Sequence, residues 1–254
     1  MSLVISGALF ALGAIIASFV GVIVARLNTG ESFLTGRSRC DACNEPLSTL
    51  SLVPVLSYLS SGGHARCCGA QLSLNSVISE LLLGALFATA YLALGAGVAL
   101  ACLLLSLSLL LALVLYDLAH QILPLVLLGL FVVMSGITGF LLASSLGAFI
   151  VTLPMAVLMA VALALIHLLS GGRAMGLADT PLVFGLALLV GPAALPGFVF
   201  SFWIGAVVGI FILLGRPKGS RMGVEVPFAP YLAAGFLLAY FTQWNPFFFV
   251  AALP

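Results

Sequence analysis

The chain has 254 residues, of which 63% are hydrophobic and only 6% are charged, with a formal net charge of +1 and a mean hydropathy of +1.35. A soluble domain of this length needs a largely polar surface, so the composition excludes that class and predicts an all-α polytopic membrane protein in the lipid bilayer. A nearly neutral chain gives no electrostatic reason to expect a nucleic-acid partner.

Long apolar segments separated by short polar ones predict about eight transmembrane helices. The first segment lacks a basic n-region and a small-residue cleavage site, so we interpret it as a retained helix rather than a signal peptide. The first two of three later segments are long enough for two crossings of about 20 residues, the third leaves about 17 residues per crossing, at the low end of the range, and one further helix follows them. The three segments are 77–116, 125–170 and 182–215, with turns expected near Gly95–Gly97, Ser144–Ser145 and Pro192–Pro196.

The charged residues predict which side of the membrane the polar segments face. All eight basic residues lie in these polar segments, and the positive-inside rule puts such segments on the cytoplasmic side. The seven acids lie on that side too, and both termini are then expected outside. The predicted organisation is helix 1 at residues 1–25, a cytoplasmic domain at 26–76 and a membrane domain at 77–254.

The predicted cytoplasmic domain is rich in cysteine. Cytosolic thiols stay reduced, so a cysteine cluster there favours a metal site over disulfides. Two knuckles separated by a short loop are typical of a structural Zn²⁺ site, where metal binding supplies folding energy to a small domain. The four candidate ligands are Cys40, Cys43, Cys67 and Cys68.

The second pair of cysteines departs from a regular knuckle. A regular knuckle would place its first cysteine at Ala65, three residues before Cys68, whereas the chain has Cys67 directly beside Cys68. Adjacent cysteines reach one metal only through a strained turn, so the fourth ligand is Cys67, His64 or a water molecule. Four unrelated thiols without a metal are the alternative.

Two aspartates stand at the ends of long apolar runs. Asp117 follows Tyr116, and Asp179 closes the sequence Gly176–Asp179. An ionisable residue at the edge of a membrane helix is costly unless it faces the protein interior or water, which makes it a functional-site hypothesis. The alternative is a helix cap, because an aspartate before Thr180–Pro181 suits an N-cap. Two acids on one membrane side favour a catalytic pair that shares one proton.

Several stretches, in chain order, resemble the bacterial type IV prepilin peptidases. The resemblance covers nearly the whole chain and includes both aspartates. Asp117–Pro124 resembles the first aspartate motif of that family, Gly176–Asp179 its GxGD signature, and Val226–Ala233 its C-terminal IPFGPFLA stretch. The other similar stretches are Ser18–Val20 with Arg26–Leu27, Arg37–Cys43, Pro54–Leu59 and Cys68–Ser73.

The resemblance implies a membrane-embedded aspartyl endopeptidase of the bacterial inner membrane. Such an enzyme removes the short basic leader of type IV prepilins or type II secretion pseudopilins at the cytoplasmic face, after a glycine. Asp117 and Asp179 match the two catalytic aspartates of the family. Many members with the cysteine domain also N-methylate the new N-terminus with S-adenosylmethionine, an activity that the resemblance allows without requiring.

Three departures from the family pattern lie near the aspartates. Ala178 replaces the second glycine of GxGD, Pro181 stands where a lysine usually follows, and Leu125 replaces an acid. The methyl group of Ala178 is tolerable unless the backbone there needs a positive φ. Loss of the lysine removes a cation that would tune the aspartate pair.

Two other functions fit parts of the sequence. One is a different GxGD intramembrane aspartyl protease of the presenilin-like kind, against which the cysteine-containing loop argues. The other is a non-enzymatic transporter or assembly factor with proton-carrying aspartates, for which inverted repeats would be the discriminating feature. His120 is a candidate for tuning the pair or contacting substrate, although an interfacial histidine is more often only solvated. His167 is expected to extend toward the membrane interface.

Overall fold

The computed structural model describes residues 2–27, 43, 45, 58, 61–64, 67–71, 74–215 and 226–246. Regular structure within these ranges is α-helical apart from one 3₁₀ turn and an isolated antiparallel bridge between His64 and Gln71. The chain divides into two compact units, Met1–Leu115 and Tyr116–Pro254.

The helices in the described part of the chain are mostly long and apolar. Six stretches there are long and apolar enough to cross a membrane, the sixth being Asp179–Leu214, and Ala229–Thr242 is shorter. The predicted all-α polytopic fold is confirmed, whereas the number of eight crossings stays a prediction. The helices are α1 (Ser2–Arg26), α2 (Leu74–Leu94), α3 (Val98–His120), α4 (Leu125–Leu142), α5 (Leu146–Ser170), α6 (Asp179–Val190), α7 (Ala194–Leu214) and α8 (Ala229–Thr242).

The breaks between helices lie at the small and turn-forming residues that the sequence indicated. Gly95 has a φ of +70° between α2 and α3. Ser145 begins α5 as an N-cap, where its side chain accepts a hydrogen bond from the backbone N–H of Ala148 at 3.1 Å. Gly191, with a φ of +56°, opens the 3₁₀ turn Gly191–Ala193 between α6 and α7. Glycine adopts these left-handed conformations at little cost, and a serine cap satisfies an unpaired helix N–H.

In the first unit, α1 and α2 approach each other closely. A Cβ atom on Gly13 would lie 2.8 Å from the carbonyl oxygen of Leu83, and one on Gly84 would lie 2.8 Å from that of Phe10. Both distances are too short for a real side chain. The two glycines therefore permit backbone-to-backbone packing, which is a common way for helices to associate in a bilayer.

In the second unit, α6 is a short and buried helix. Nine of its twelve residues are buried, and at 1.5 Å per residue it is about 18 Å long, less than the roughly 30 Å of a hydrocarbon core. Gly139 of α4 lies against the backbone of Leu188, and the ring of Phe131 packs against Gly185 of α6. The expected hairpin over 182–215 thus has one arm shorter than the 17 or so residues anticipated, because that arm is packed against protein.

The last two helices of this unit, α7 and α8, pack closely together at two glycines. Gly197 of α7 lies against Phe236, and Gly235 of α8 lies against Ser201. Ser201 also donates a hydrogen bond from Oγ to the carbonyl oxygen of Leu232 at 3.3 Å. These contacts fix α8, whose N-terminus forms part of the site described next.

Candidate active site

Asp117 lies in the last turn of α3 and is only 6% exposed. Its Oδ2 accepts a hydrogen bond from the backbone N–H of Ala229 at 3.1 Å. Ala229 is the first residue of α8, so this N–H is one of the helix donors that lack a partner within their own helix. The positive end of the α8 dipole therefore faces the carboxyl group of Asp117.

Asp179 is the first residue of α6 and is 7% exposed. Its backbone N–H donates to the carbonyl oxygen of Gly176 at 3.3 Å, and a Cβ atom on Gly176 would lie 3.4 Å from its Oδ2. The N-cap position is occupied by Ala178, which has no side-chain cap. The alternative of Asp179 as a simple N-cap therefore has no support in this geometry.

Both aspartates line one cavity of about 710 Å³. Three stretches form its wall: the end of α3 with the residues after it, the loop before α6, and the residues before α8. The two carboxyl groups therefore border the same space. The lining residues are Asp117, Gln121–Leu123, Gly171–Gly176, Ala178, Asp179 and Val226–Phe228.

The loop between α5 and α6 is held by its own polar contacts. Gly171, with a φ of +59°, ends α5 in the left-handed conformation. The backbone N–H of Ala174 donates to Oγ of Ser170 at 3.2 Å, and Nδ1 of His167 is 2.8 Å from the carbonyl oxygen of Met175. His167 therefore contacts the loop, a role that the sequence did not indicate.

The three departures from the family pattern are compatible with the local backbone. Ala178 has φ −68° and ψ −17°, so this position does not need glycine. Pro181 lies in the first turn of α6, where a backbone N–H would have no partner in the helix. Leu125, the first residue of α4, is 80% exposed. His120 is also exposed, with its ring 4.5 Å from that of Tyr116, and does not line the cavity.

Three of the predicted metal ligands lie together in the first unit. The Sγ atoms of Cys43, Cys67 and Cys68 lie within 4.8 Å of one another, at 3.3 Å between Cys43 and Cys67 and 3.9 Å between Cys67 and Cys68. Zn–S bonds of 2.3 Å in a tetrahedron separate the sulfurs by about 3.8 Å, so this donor set fits Zn²⁺. Cys40 is outside the described residues. His64 is not in the cluster, and its Nδ1 is 2.9 Å from the carbonyl oxygen of Gly62.

The backbone around Cys67 and Cys68 forms a short hairpin-like turn. The antiparallel bridge between His64 and Gln71 joins its two sides, and Gly69 follows the cysteines with a φ of +70°. A glycine at this position permits a turn that a side chain would disfavour. The thiols of Cys67 and Cys68 lie 3.9 Å apart, so both can bind a single metal ion.

Comparison with known proteins gives a consistent result. Residues 11–94 match the model of the Bacterial Peptidase A24 N-terminal domain. A relative named prepilin leader peptidase/N-methyltransferase in Bacillus subtilis is 30% identical over 91% of this chain and 92% of its own length. Proteins of the same name in Aeromonas hydrophila and Myxococcus xanthus are 33% and 34% identical, over 80% and 84% of this chain.

The coverage of these relatives differs. The matched region makes up 70% of the Aeromonas protein but 64% of the Myxococcus protein, so this chain spans less than two thirds of the latter. No solved structure matches the chain significantly.

Proposed function

Since this chain belongs to the family of prepilin leader peptidases/N-methyltransferases, we propose that it is an aspartyl endopeptidase that removes the basic leader of type IV prepilins or type II secretion pseudopilins. The chain is a multi-pass protein of the bacterial inner membrane, as its apolar helices and its relatives indicate. The observation that best supports the proposed chemistry is the presence of two buried aspartates, Asp117 and Asp179, in the wall of one cavity.

The surroundings of the two carboxyl groups suit an aspartyl protease. Asp117 lies at the end of α3 and accepts a hydrogen bond from the backbone N–H of Ala229, at the N-terminus of α8, and Asp179 is the first residue of α6. We propose that the two carboxyl groups share one proton, because two carboxylates that share a site cannot both ionise easily. They form a coupled pair, and the proton belongs to the pair rather than to either residue.

The proposed reaction uses one water molecule. The ionised carboxylate takes a proton from the water as its oxygen bonds to the scissile carbonyl carbon, while the protonated carboxyl donates toward the carbonyl oxygen. The tetrahedral intermediate then collapses, the C–N bond breaks, and the leaving nitrogen receives a proton from the pair. This chemistry needs both groups, in complementary protonation states.

The cavity is large enough for a short peptide segment. Its volume of about 710 Å³ lies within the range of small-molecule sites, roughly 300–1,000 Å³. Peptide-bond hydrolysis requires access to the backbone, and the wall has little side-chain bulk where Gly171, Gly172 and Gly176 contribute. We propose that the leader junction of the substrate enters here in an extended conformation.

A second activity is part of the proposal. The relatives are named as N-methyltransferases as well as leader peptidases, so we propose that this chain N-methylates the new N-terminus with S-adenosylmethionine as methyl donor. The mature N-terminus made in cells should then carry one additional methyl group in its mass spectrum. An unmethylated product from an active enzyme would show that this chain cleaves the prepilin but does not methylate it.

The cysteine cluster is proposed to be a structural Zn²⁺ site. The three convergent thiols of Cys43, Cys67 and Cys68 provide the donor type and spacing that Zn²⁺ prefers, and we propose Cys40 as the fourth ligand. Bound Zn²⁺ would supply folding energy to this small segment. The chain itself contributes the turn at Gly69, which allows adjacent cysteines to serve as ligands.

We also propose that cleavage takes place on the cytoplasmic side. The positive-inside rule supports this, because the basic residues cluster in the polar segments. Single cysteines placed at Ser144 and Ala194 in a cysteine-free variant should react with an impermeant reagent added to intact cells, whereas one at Ser61 should not. Labelling of the Ser61 position from outside would show that the protein has the opposite orientation in the membrane.

The two alternative functions receive no support from the relatives. A presenilin-like protease would share the aspartates but not the match to the A24 N-terminal domain over residues 11–94. A proton-carrying transporter would need no cleavable substrate. Neither alternative predicts that a prepilin is shortened by cleavage.

The test is processing of a type IV prepilin expressed in cells that lack their own leader peptidase. Co-expression of this chain should convert the prepilin to a faster-migrating form on a gel, with loss of the leader verified by the mass of the N-terminal peptide. The Asp117→Asn variant, expressed at an equal level, should leave the prepilin uncut. An uncut prepilin with the unmodified chain, properly inserted in the membrane, would contradict the proposed activity.

A further inference from the structure

A histidine outside the cavity wall holds the loop that carries the GxGD-like motif. The ring of His167, in the last turn of α5, has Nδ1 at 2.8 Å from the carbonyl oxygen of Met175. A carbonyl oxygen only accepts hydrogen bonds, so Nδ1 must carry the proton and donate. His167 is not among the residues that line the cavity, so its effect on the aspartates has to pass through the loop.

The peptide group that accepts this hydrogen bond also faces Asp179. The carbonyl of Met175 and the N–H of Gly176 belong to one planar unit, in which the two bonds point in opposite directions. The carbonyl oxygen of Gly176 accepts a hydrogen bond from the backbone N–H of Asp179 at 3.3 Å, and a Cβ atom on Gly176 would lie 3.4 Å from Oδ2 of the Asp179 carboxyl group. A donor that fixes the Met175 carbonyl therefore fixes the position of Gly176 beside the side chain of Asp179.

The loop backbone also contacts His167 at Gly172. Gly172 has a φ of +77°, and its backbone N–H donates to the carbonyl oxygen of His167 at 2.9 Å. A Cβ atom on Gly172 would lie 3.3 Å from Cε1 of the His167 ring. The ring is thus confined between α5 and the loop, which favours one rotamer.

We propose that His167 is a positioning residue for the aspartate pair: its Nδ1–H holds the Met175–Gly176 peptide group so that Gly176 stays against the carboxyl group of Asp179 and keeps the hydrogen bond from the Asp179 backbone N–H. The inference rests on the proposed aspartyl protease activity and adds the group that orients one of its two acids. Without the histidine donor, the peptide group is free to rotate about its flanking bonds, and Asp179 loses a fixed hydrogen-bond partner. No proton passes between His167 and the carboxyl groups in this arrangement.

The experiment uses side chains that place a donor at different positions. An asparagine amide nitrogen coincides with the Nδ1 position of histidine, a glutamine amide nitrogen coincides with Nε2, and leucine has no donor. With purified protein in lipid vesicles and a purified type IV prepilin, His167→Asn should keep kcat within about threefold. His167→Leu and His167→Gln should lower kcat about tenfold or more, as expected for loss of one hydrogen bond that supports a charged group.

KM should change little in all three variants, because His167 is not itself among the residues that line the cavity. A merely structural role for His167 would instead lower the amount of folded protein and leave the kcat of the folded fraction unchanged. Thermal unfolding in detergent gives that fraction for each variant. His120→Asn is the matched control, since it removes an exposed imidazole that does not line the cavity, and it should leave kcat unchanged.

A second variant tests the proposal even if His167→Leu folds poorly. Gly172→Ala puts a methyl group against the ring and requires a strained φ, so it should also lower kcat. Wild-type kcat in His167→Leu, or a loss in His167→Asn as large as in His167→Leu, would overturn the proposal. If the unmodified protein does not cut the prepilin at all, the proposed function fails instead, and the two failures are distinct.

Discussion

The aspartate pair and the cysteine cluster both join residues that are far apart in sequence, yet they are held in different ways. Asp117 and Asp179 are buried; Asp117 accepts a backbone hydrogen bond from the first residue of α8, and Asp179 begins α6. Cys43, Cys67 and Cys68 are exposed and lie beside a single antiparallel bridge. Packing of apolar helices therefore fixes the first site, whereas we expect the order of the second to depend on the proposed Zn²⁺.

The largest expected effect tests this dependence on metal. Cys43→Ser and Cys67→Ser should each lower the zinc content from about one ion per chain to nearly none, because a closed structural site needs all four ligands. Asp179→Asn should keep its zinc, since helix packing and metal binding are separate sources of order. Metal analysis of the purified proteins by plasma mass spectrometry makes the measurement.

Cys102→Ser is the control for the loss of a thiol. Cys102 lies within α3, outside the cluster, so its replacement should not change the zinc content. A Cys67→Ser protein that retains a full complement of zinc would remove Cys67 from the ligand set and favour His64.

An intermediate effect is expected where helix packing holds the aspartate site. Gly235→Ala adds a Cβ atom against Ser201, between α7 and α8, and overpacking of this kind costs about 1–3 kcal/mol. Because α8 carries the N–H that binds Asp117, we expect both a lower unfolding temperature in detergent and slower prepilin cleavage. Zinc content should not change.

Gly209→Ala serves as the matched comparison, since a Cβ atom there meets nothing within 4 Å. It should not lower the unfolding temperature or the cleavage rate. Equal behaviour of the two alanine variants would mean that the contact between α7 and α8 does not support the site.

The smallest effect concerns the departure from GxGD. Ala178 has a right-handed helical backbone, so Ala178→Gly should change stability by no more than about 1 kcal/mol and the cleavage rate by no more than about twofold. Cleavage kinetics with a purified prepilin measure this. A gain of an order of magnitude in rate would show that the alanine had impaired the site.

Much of this architecture could be predicted from the sequence. Apolar composition predicted the helices, turn residues such as Gly95 and Ser145 predicted their breaks, and the motifs around Asp117 and Asp179 predicted the family, which the relatives confirm. The assignment of catalysis to these two residues stays a prediction, as does the division at residues 26 and 77.

Other features depend on tertiary packing, which leaves no local pattern. The hydrogen bond between Asp117 and Ala229 joins residues 112 positions apart, and no periodicity encodes it. The short length of α6 was not predictable because an apolar helix packed against protein and one exposed to lipid have the same composition. His167 has an ordinary sequence context at a helix end, and only the fold of the following loop reveals its contact with Met175.

The most direct test of the central claim is whether the two aspartates act as one unit. Asp117→Asn, Asp179→Asn and the double variant are compared with the unmodified protein in vesicles, with a purified prepilin as substrate and cleavage followed by gel shift. If the pair shares one proton, each single variant should be about as inactive as the double variant, in the non-additive manner of catalytic units, with unchanged zinc content and unfolding temperature. Near-normal cleavage by either single variant would show that the pair is structural and would contradict the proposed function.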